Sequence, residues 1–205
     1  MLKKECEYYD EQTHLIVGVD EAGRGPLAGP VYAAAVLFPP SFHDEAINDS
    51  KKLSEKKREE LFSLITENAL GYGIASMSAD EIDEYNIYEA TKRCMKKAIS
   101  QIKVPYDLII TDAMPLQLDV RVVPMIKGDA QCLNVAAASI LAKVSRDRYM
   151  EELDKKYPEY GFGKHKGYGT AYHLEAIKTY GPIEGIHRKS FAPVANYYKE
   201  QLKLF

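Results

Sequence analysis

The sequence predicts an α/β fold, a mixed five-stranded sheet flanked by helices. Three observations carry that expectation. Five short apolar runs have strand composition. The first two are separated only by a Gly/Pro-rich turn, as in an antiparallel hairpin, while the later ones alternate with helical segments, as in parallel units. One long stretch, Cys132 to Lys156, carries Ala, Leu, Ile and Val at helical spacing.

Taken in order, His14 to Val19 (HLIVGV) is a β-branched run and reads as a buried strand. Val31 to Phe38 (VYAAAVLF) is its hairpin partner. Ser54 offers a hydroxyl cap to a helix reaching about Glu67. Gly71 to Met77 is a third strand, and Asp80 to Ile102 is helical in two pieces broken near Asn86. Asp107 to Thr111 is a strand ending at Asp112, and Val122 to Ile126 another, ending at Lys127-Gly128-Asp129. Cys132 to Lys156 is the strongest helix and is expected to run into a second one. Tyr157 to Thr170 is a Gly/Pro/Tyr-rich loop, Ala171 to Thr179 a further helix, and Val194 to Leu204 closes the chain. Residues 1–150 are expected to form the main domain and 151–205 a helical extension beside it. There is no internal repeat or low-complexity tract.

The 205 residues are 46% hydrophobic and 28% charged, an ordinary globular composition. No apolar run approaches the ~18 residues of a membrane span. The start, MLKKECEYYDEQTH, lacks an apolar h-region, so no signal peptide is expected. Cys6, Cys94 and Cys132 stand too far apart in sequence for a zinc cage or a disulfide framework, and a reducing cytoplasm is expected. The net charge of −3 does not announce a nucleic-acid partner, although phosphate binding needs only local positive charge. Basic clusters exist at Lys51-Lys52, Lys56-Lys57-Arg58, Lys164-His165-Lys166 and His187-Arg188-Lys189; each taken alone reads as a solvated face.

Acids close three of the apolar runs: Asp20-Glu21, Asp112 and Asp129. Ligands gather outside strand carboxyl ends in open α/β sheets. Carboxylates drawn within a few ångströms repel one another, and a hard divalent cation removes the conflict. Oxygen-only ligation suits Mg²⁺ or Mn²⁺. Acids also cap strands and turns without any metal, and spacing alone does not bring these together.

Asp20 to Pro26 (DEAGRGP) resembles the signature of ribonuclease HII, and further segments agree in order and spacing. They are Asn48 to Ser54 (NDSKKLS), Thr111-Asp112, Lys127-Gly128-Asp129, Ala137 to Asp147 (AASILAKVSRD), Gly161 to Tyr168 (GFGKHKGY) and His187 to Phe191 (HRKSF). The resemblance covers roughly residues 14 to 195. It implies a ribonuclease H-like fold with a C-terminal helical extension that binds substrate. It also implies a four-acid site on Asp20, Glu21, Asp112 and Asp129. The short stretch before the first strand and the Asp at 129 fit this class better than ribonuclease HIII.

The implied activity is endonucleolytic, on the RNA strand of RNA–DNA hybrids and on the 5′ side of ribonucleotides embedded in duplex DNA, leaving 5′-phosphate and 3′-hydroxyl ends. Two Mn²⁺ or Mg²⁺ ions about 3.5–4 Å apart serve both oxygens of such an in-line displacement. Gly23-Arg24-Gly25, by itself a tight turn, is implied to sense the 2′-hydroxyl, and Tyr168 to stack on the neighbouring sugar. Ser50, Lys51, Lys164 and Lys166 are candidates for duplex phosphates, or are simply solvated. Lys143, Arg146, His187 and Arg188 receive no role. Gln201, Leu202, Leu204 and Phe205 of the terminal QLKLF resemble a sliding-clamp peptide, with an amphipathic end folded on its own domain as the alternative. A monomer without membrane association is expected. Competing readings are a structure-selective DNA endonuclease of the same fold, a non-catalytic binding module, and a phosphate binder using the GRGP turn.

Overall fold

The computed structural model describes residues 4–48 and 50–202. Five strands, β1 (Ile16–Ala22), β2 (Val31–Leu37), β3 (Gly71–Met77), β4 (Leu108–Asp112) and β5 (Arg121–Met125), form one sheet in the order β3-β2-β1-β4-β5. β1 pairs antiparallel with β2 and parallel with β4; β2 and β3 are antiparallel, β4 and β5 parallel. The mixed sheet expected from the hairpin and the later strand–helix segments is therefore the one that forms.

Side chains alternate across the pleat, and each face has its own cover. Val17, Val19, Ala33, Ala35 and Leu37 pack on α2 (Ala79–Ile99). Ala34, Val36 and Phe38 pack on α1 (Glu55–Asn68) and α3 (Leu133–Lys156). Ser54 caps α1 by accepting from Lys57 N. A capping box of Ser78 and Glu81 starts α2, whose helical geometry breaks at Asn86 (φ 64°, ψ 161°). There the Asn86 side chain restarts the helix by accepting from Tyr88 N and Glu89 N.

Two differences from the sequence reading matter for the site. β1 runs on to Ala22 instead of ending at Val19, because antiparallel pairing with β2 continues to Ala22↔Tyr32. Its pairing with β4 stops at Val19↔Thr111, so Asp20 and Glu21 sit where the sheet has parted on one side. Second, α3 is one unbroken helix rather than two. Its N-terminal half is buried all round and its C-terminal half on one side only. α3 crosses β1 at Gly18, where an added Cβ would lie 2.2 Å from the backbone of Asn134.

No side chain of the N-cap residue Cys132 closes α3. Glu5, from the short 3-10 turn Lys4–Tyr8, does so from a distance, accepting from Leu133 N (3.1 Å) and Asn134 N (3.3 Å). The region read as a loop contains a 3-10 turn at Pro158–Tyr160 and a single-turn helix α4 (Phe162–His165). α5 (Ala171–Tyr180) and α6 (Ala192–Leu202) follow. A further apolar cluster joins α3 to this part through Met150, Leu153, Tyr160 and Phe162, together with Ala28. Of the terminal clamp-like residues, Gln201 and Leu202 end α6, while Leu204 and Phe205 lie outside the described residues. No helix among the described residues is long and apolar enough to cross a membrane.

Candidate active site

Four local features converge at the parted end of the sheet. Asp20 lies two residues beyond Gly18 on β1, and strand alternation puts both on the α3 face. Only a residue without a side chain lets α3 come close enough to bring Ser139 into the cleft with Asp20. Asp112 ends β4, and its Oδ1 accepts from Gly128 N at 2.8 Å. Asp129 is carried inward on the 3-10 turn Gly128–Ala130, which follows the left-handed Lys127 (φ 56°).

Asp20, Asp112 and Asp129 each offer an oxygen within 4.8 Å of the others. Asp20 and Asp129 are both 4% exposed, so two of the three carboxylates have lost most of their water. Burial pushes Asp20 well above the usual carboxylate range, with the charges of Glu21 and Asp112 adding to it. Burial also raises Asp112, the Gly128 amide working against it and Asp129 with it.

Glu21 is not in this group of three. Adjacent strand residues face opposite ways, so its carboxylate diverges from that of Asp20. It still lines the same cleft of about 260 Å³. Its Oε1 meets Arg24 Nη1 at 3.4 Å, whereas its Oε2 is buried with no hydrogen-bond partner among the described residues. Burial raises Glu21 as well. An orphaned carboxylate oxygen beside three crowded acids, with no histidine or thiol among them, is the donor set of a hard divalent cation. The residues present fit that group.

The opposite wall is the loop between β1 and β2. Gly23 has φ 95°, and a Cβ there would meet Arg146 Nε at 2.0 Å. A Cβ at Gly25 would lie 3.5 Å from the Tyr168 ring, so Tyr168 packs beside Gly25 at the cleft mouth, on the same wall. Tyr168 is 50% exposed. Ser50 is buried, its Oγ 2.9 Å from Ser139 Oγ. Lys51 reaches Asp129 Oδ2 at 3.1 Å from the solvent side. Lys164 and Lys166 are not in this cleft: Lys164 is exposed on a separate groove with Tyr172, and Lys166 is paired with Glu151.

Three of the four residues left without a role make specific contacts here. Arg188 is fully buried and donates to the carbonyls of Arg24 (2.9 Å), Gly23 (2.6 Å) and Gly29 (3.0 Å from Nε). Arg146 donates to those of Pro30 (3.0 Å), Ala28 (3.2 Å) and Lys166 (2.9 Å). Two guanidiniums thus tie the Gly-Arg-Gly loop to the segment bearing Tyr168. Lys143 lines the cleft and pairs with Asp147 at 2.6 Å. Ser139 went unnoticed in the sequence; a hydroxyl inside the buried, alanine-rich first half of α3 is the signal that marks it.

The comparisons with known proteins agree with this geometry. The family model described as Ribonuclease HII matches residues 17–194. A ribonuclease HII of Ruminiclostridium cellulolyticum is 56% identical over 192 residues, covering 93% of this chain and 75% of that protein. One of Geobacillus sp. strain WCH70 is 51% identical over 194 residues, covering 95% and 70%. Among solved structures, the ribonuclease H2 of Pyrococcus horikoshii superposes with a TM-score of 0.78 at 28% identity, covering 91% of this chain and 98% of that one. The ribonuclease HII solved as a complex with PCNA from Archaeoglobus fulgidus gives a TM-score of 0.70 at 29% identity, covering 85% and 92%.

Proposed function

The chain belongs to the ribonuclease HII family and is an endoribonuclease H, and from that premise we propose that it cuts 5′ to ribonucleotides embedded in duplex DNA, as well as within RNA–DNA hybrids, leaving 5′-phosphate and 3′-hydroxyl ends. The observation that carries this reading is the adjacent pair of Gly25 and Tyr168 at the mouth of the carboxylate cleft. Glycine allows backbone amides and carbonyls to approach a sugar closely, and the 2′-hydroxyl is the atom that distinguishes RNA from DNA. The exposed Tyr168 ring beside that loop would stack on the adjoining sugar, so that one ribonucleotide next to a deoxyribonucleotide is recognised as a junction.

Asp20, Glu21, Asp112 and Asp129 are the residues that would hold Mg²⁺ or Mn²⁺. Two such ions, when bound, supply positive charge at the attacking and leaving oxygens of the displacement. The Glu21 amide donates to the Asp20 carboxyl and the Gly128 amide to that of Asp112, so both would be oriented before any ion arrives. Lys51, at the rim beside Asp129, and Lys143 offer positive charge to the scissile strand. Lys164 extends that reach along the groove next to α5.

The role implied is removal of misincorporated ribonucleotides in the cytoplasm. The buried Cys94 and Cys132, both free thiols, suit a reducing compartment. The terminal QLKLF is proposed to dock on a sliding clamp, supported by the existence of a PCNA complex for the Archaeoglobus relative. Capture of a bacterial clamp by the full chain, lost on deleting 201–205, is the expected result; undiminished capture by the truncated chain removes the idea.

The deciding experiment for substrate is cleavage of duplex DNA holding one ribonucleotide, in Mg²⁺ or Mn²⁺, by wild type and Tyr168→Ala. The wild type is expected to cut 5′ to the ribonucleotide. The variant is expected to lose about 10- to 100-fold on this substrate, the cost of a misplaced reacting group, while keeping its melting temperature. Cleavage of all-DNA duplexes would instead identify a structure-selective DNA endonuclease of the same fold.

A further inference from the structure

Tyr168 presents an exposed ring from a backbone on which every polar group is engaged. Lys166 O accepts from Arg146, and Gly167 O from Leu27 N at 2.8 Å. Gly167 N donates to His165 Nδ1 (3.2 Å) and Tyr168 N to His165 O (2.9 Å). Tyr168 O, the last of these, accepts from Thr170 N at 2.8 Å and also lies 2.9 Å from His173 Nδ1. A carbonyl only accepts, so His173 carries its proton on Nδ1, and its Nε2 is an acceptor. That nitrogen lies 3.1 Å from His187 Nε2. His187 Nδ1 in turn accepts from Ile183 N at 2.8 Å, which leaves the His187 proton on Nε2, the donor that His173 needs. The order is Ile183 N–H to His187, His187 to His173, and His173 to the Tyr168 carbonyl.

Both imidazoles are buried, at 0% and 1% exposure, against Phe162, whose ring lies 5.4 Å from His173 and 5.7 Å from His187. Burial pulls each down to about 4, so both are neutral at neutral pH, as this order requires. A buried polar chain with every donor matched to an acceptor fixes one arrangement of its members. Neither ring is among the residues that line the carboxylate cleft.

We propose that His173 and His187 are positioning residues for junction recognition: a one-directional hydrogen-bond relay, anchored on the Ile183 amide, sets the height and angle at which Tyr168 meets the sugar next to the ribonucleotide. The proposal rests on the reading of Tyr168 given above. The relay acts on the substrate only through Tyr168, so its loss reduces selectivity for a single ribonucleotide and leaves the hydrolytic machinery in place.

The test compares cleavage of a duplex with one ribonucleotide and of a continuous RNA–DNA hybrid by wild type, Tyr168→Ala, His173→Leu and His173→Asn. Asn can return an N–H near the Nδ1 position; Leu cannot. His173→Leu is expected to lose about 10- to 100-fold on the single ribonucleotide and far less on the hybrid, with His173→Asn recovering most of the difference. Equal losses on both substrates, or no recovery with Asn, overturn the relay. If Tyr168→Ala leaves the ratio unchanged, the reading of Tyr168 itself fails and the relay falls with it. If Tyr168→Ala shifts the ratio and the His173 variants do not, only the relay fails. Imidazole ¹⁵N spectra of the wild type need no folded variant: His173 protonated at Nδ1 and His187 at Nε2 is expected, and any other pair of tautomers contradicts the proposal.

Discussion

At the scale of single residues, the site works against the stability of the chain that carries it. Asp20, Glu21 and Asp112 are all held above their ordinary range, chiefly by burial. A carboxyl whose folded value exceeds its unfolded one keeps its proton longer in the native state, so stability falls as pH rises through the interval between the two. Removing one charge relieves this. Asp112→Asn is expected to raise the melting temperature of the cation-free protein while lowering hybrid cleavage by at least about 10²–10³-fold, the scale of one lost electrostatic contact to a transition state; calorimetry and a cleavage assay read the two effects. Arg188 is the opposite case, a charge that stabilises through its geometry. Its donors reach the carbonyls of Gly23, Arg24 and Gly29 together, and lysine has no planar fork. Arg188→Lys is expected to lower unfolding free energy by about 3 kcal/mol or more, as when a buried charge is left with unmatched partners. A denaturant midpoint within error of wild type would contradict that. Asp112 and Asp129 were legible in the sequence because each follows an apolar run. Arg146 and Arg188 were not, since their partners are backbone carbonyls that leave no mark on residue identity.

At the scale of elements, one crossing decides whether the acids meet. α3 touches β1 at Gly18, and the same approach delivers Ser139 to Asp20. Gly18→Ala places a methyl 2.2 Å from backbone that cannot swing aside. The expected cost is about 1–3 kcal/mol or more, with cleavage falling beyond what the unfolded fraction explains because α3 is displaced from Asp20. The N-terminus of α3 depends on Glu5, more than a hundred residues away in sequence. Glu5→Ala is expected to cost about 1–2 kcal/mol, the worth of a helix cap, and thermal unfolding reads it directly. Strand and helix identities came from local patterns, and so did the break at Asn86. The extension of β1 through Asp20 and Glu21 did not, because it is set by pairing with β2. That extension also explains why Glu21 diverges from the other three acids while sharing their cleft.

At the scale of the whole molecule, two arginines, a histidine relay and a helix that runs from the sheet into the C-terminal part make the Gly-Arg-Gly loop and Tyr168 one rigid wall. The pH dependence of folding reports on this wall. His173 and His187 have folded values of about 4 against an ordinary 6.5, so as pH falls the unfolded chain binds these protons first. Their contribution is fully present above about 6.5 and is lost as pH falls from there towards 4. Urea midpoints at pH 7.5 and pH 5 are expected to differ less in His173→Asn than in wild type; an equal difference would place the acid sensitivity elsewhere. The activity is proposed to depend on the other wall, where three carboxylates share one space. The most direct test is Mn²⁺ binding followed by electron paramagnetic resonance of the free ion, in wild type and Asp112→Asn. The account predicts bound Mn²⁺ in the wild type and loss of most of it in the variant at equal pH, in parallel with loss of hybrid cleavage. Wild-type binding by a folded Asp112→Asn would contradict the assignment.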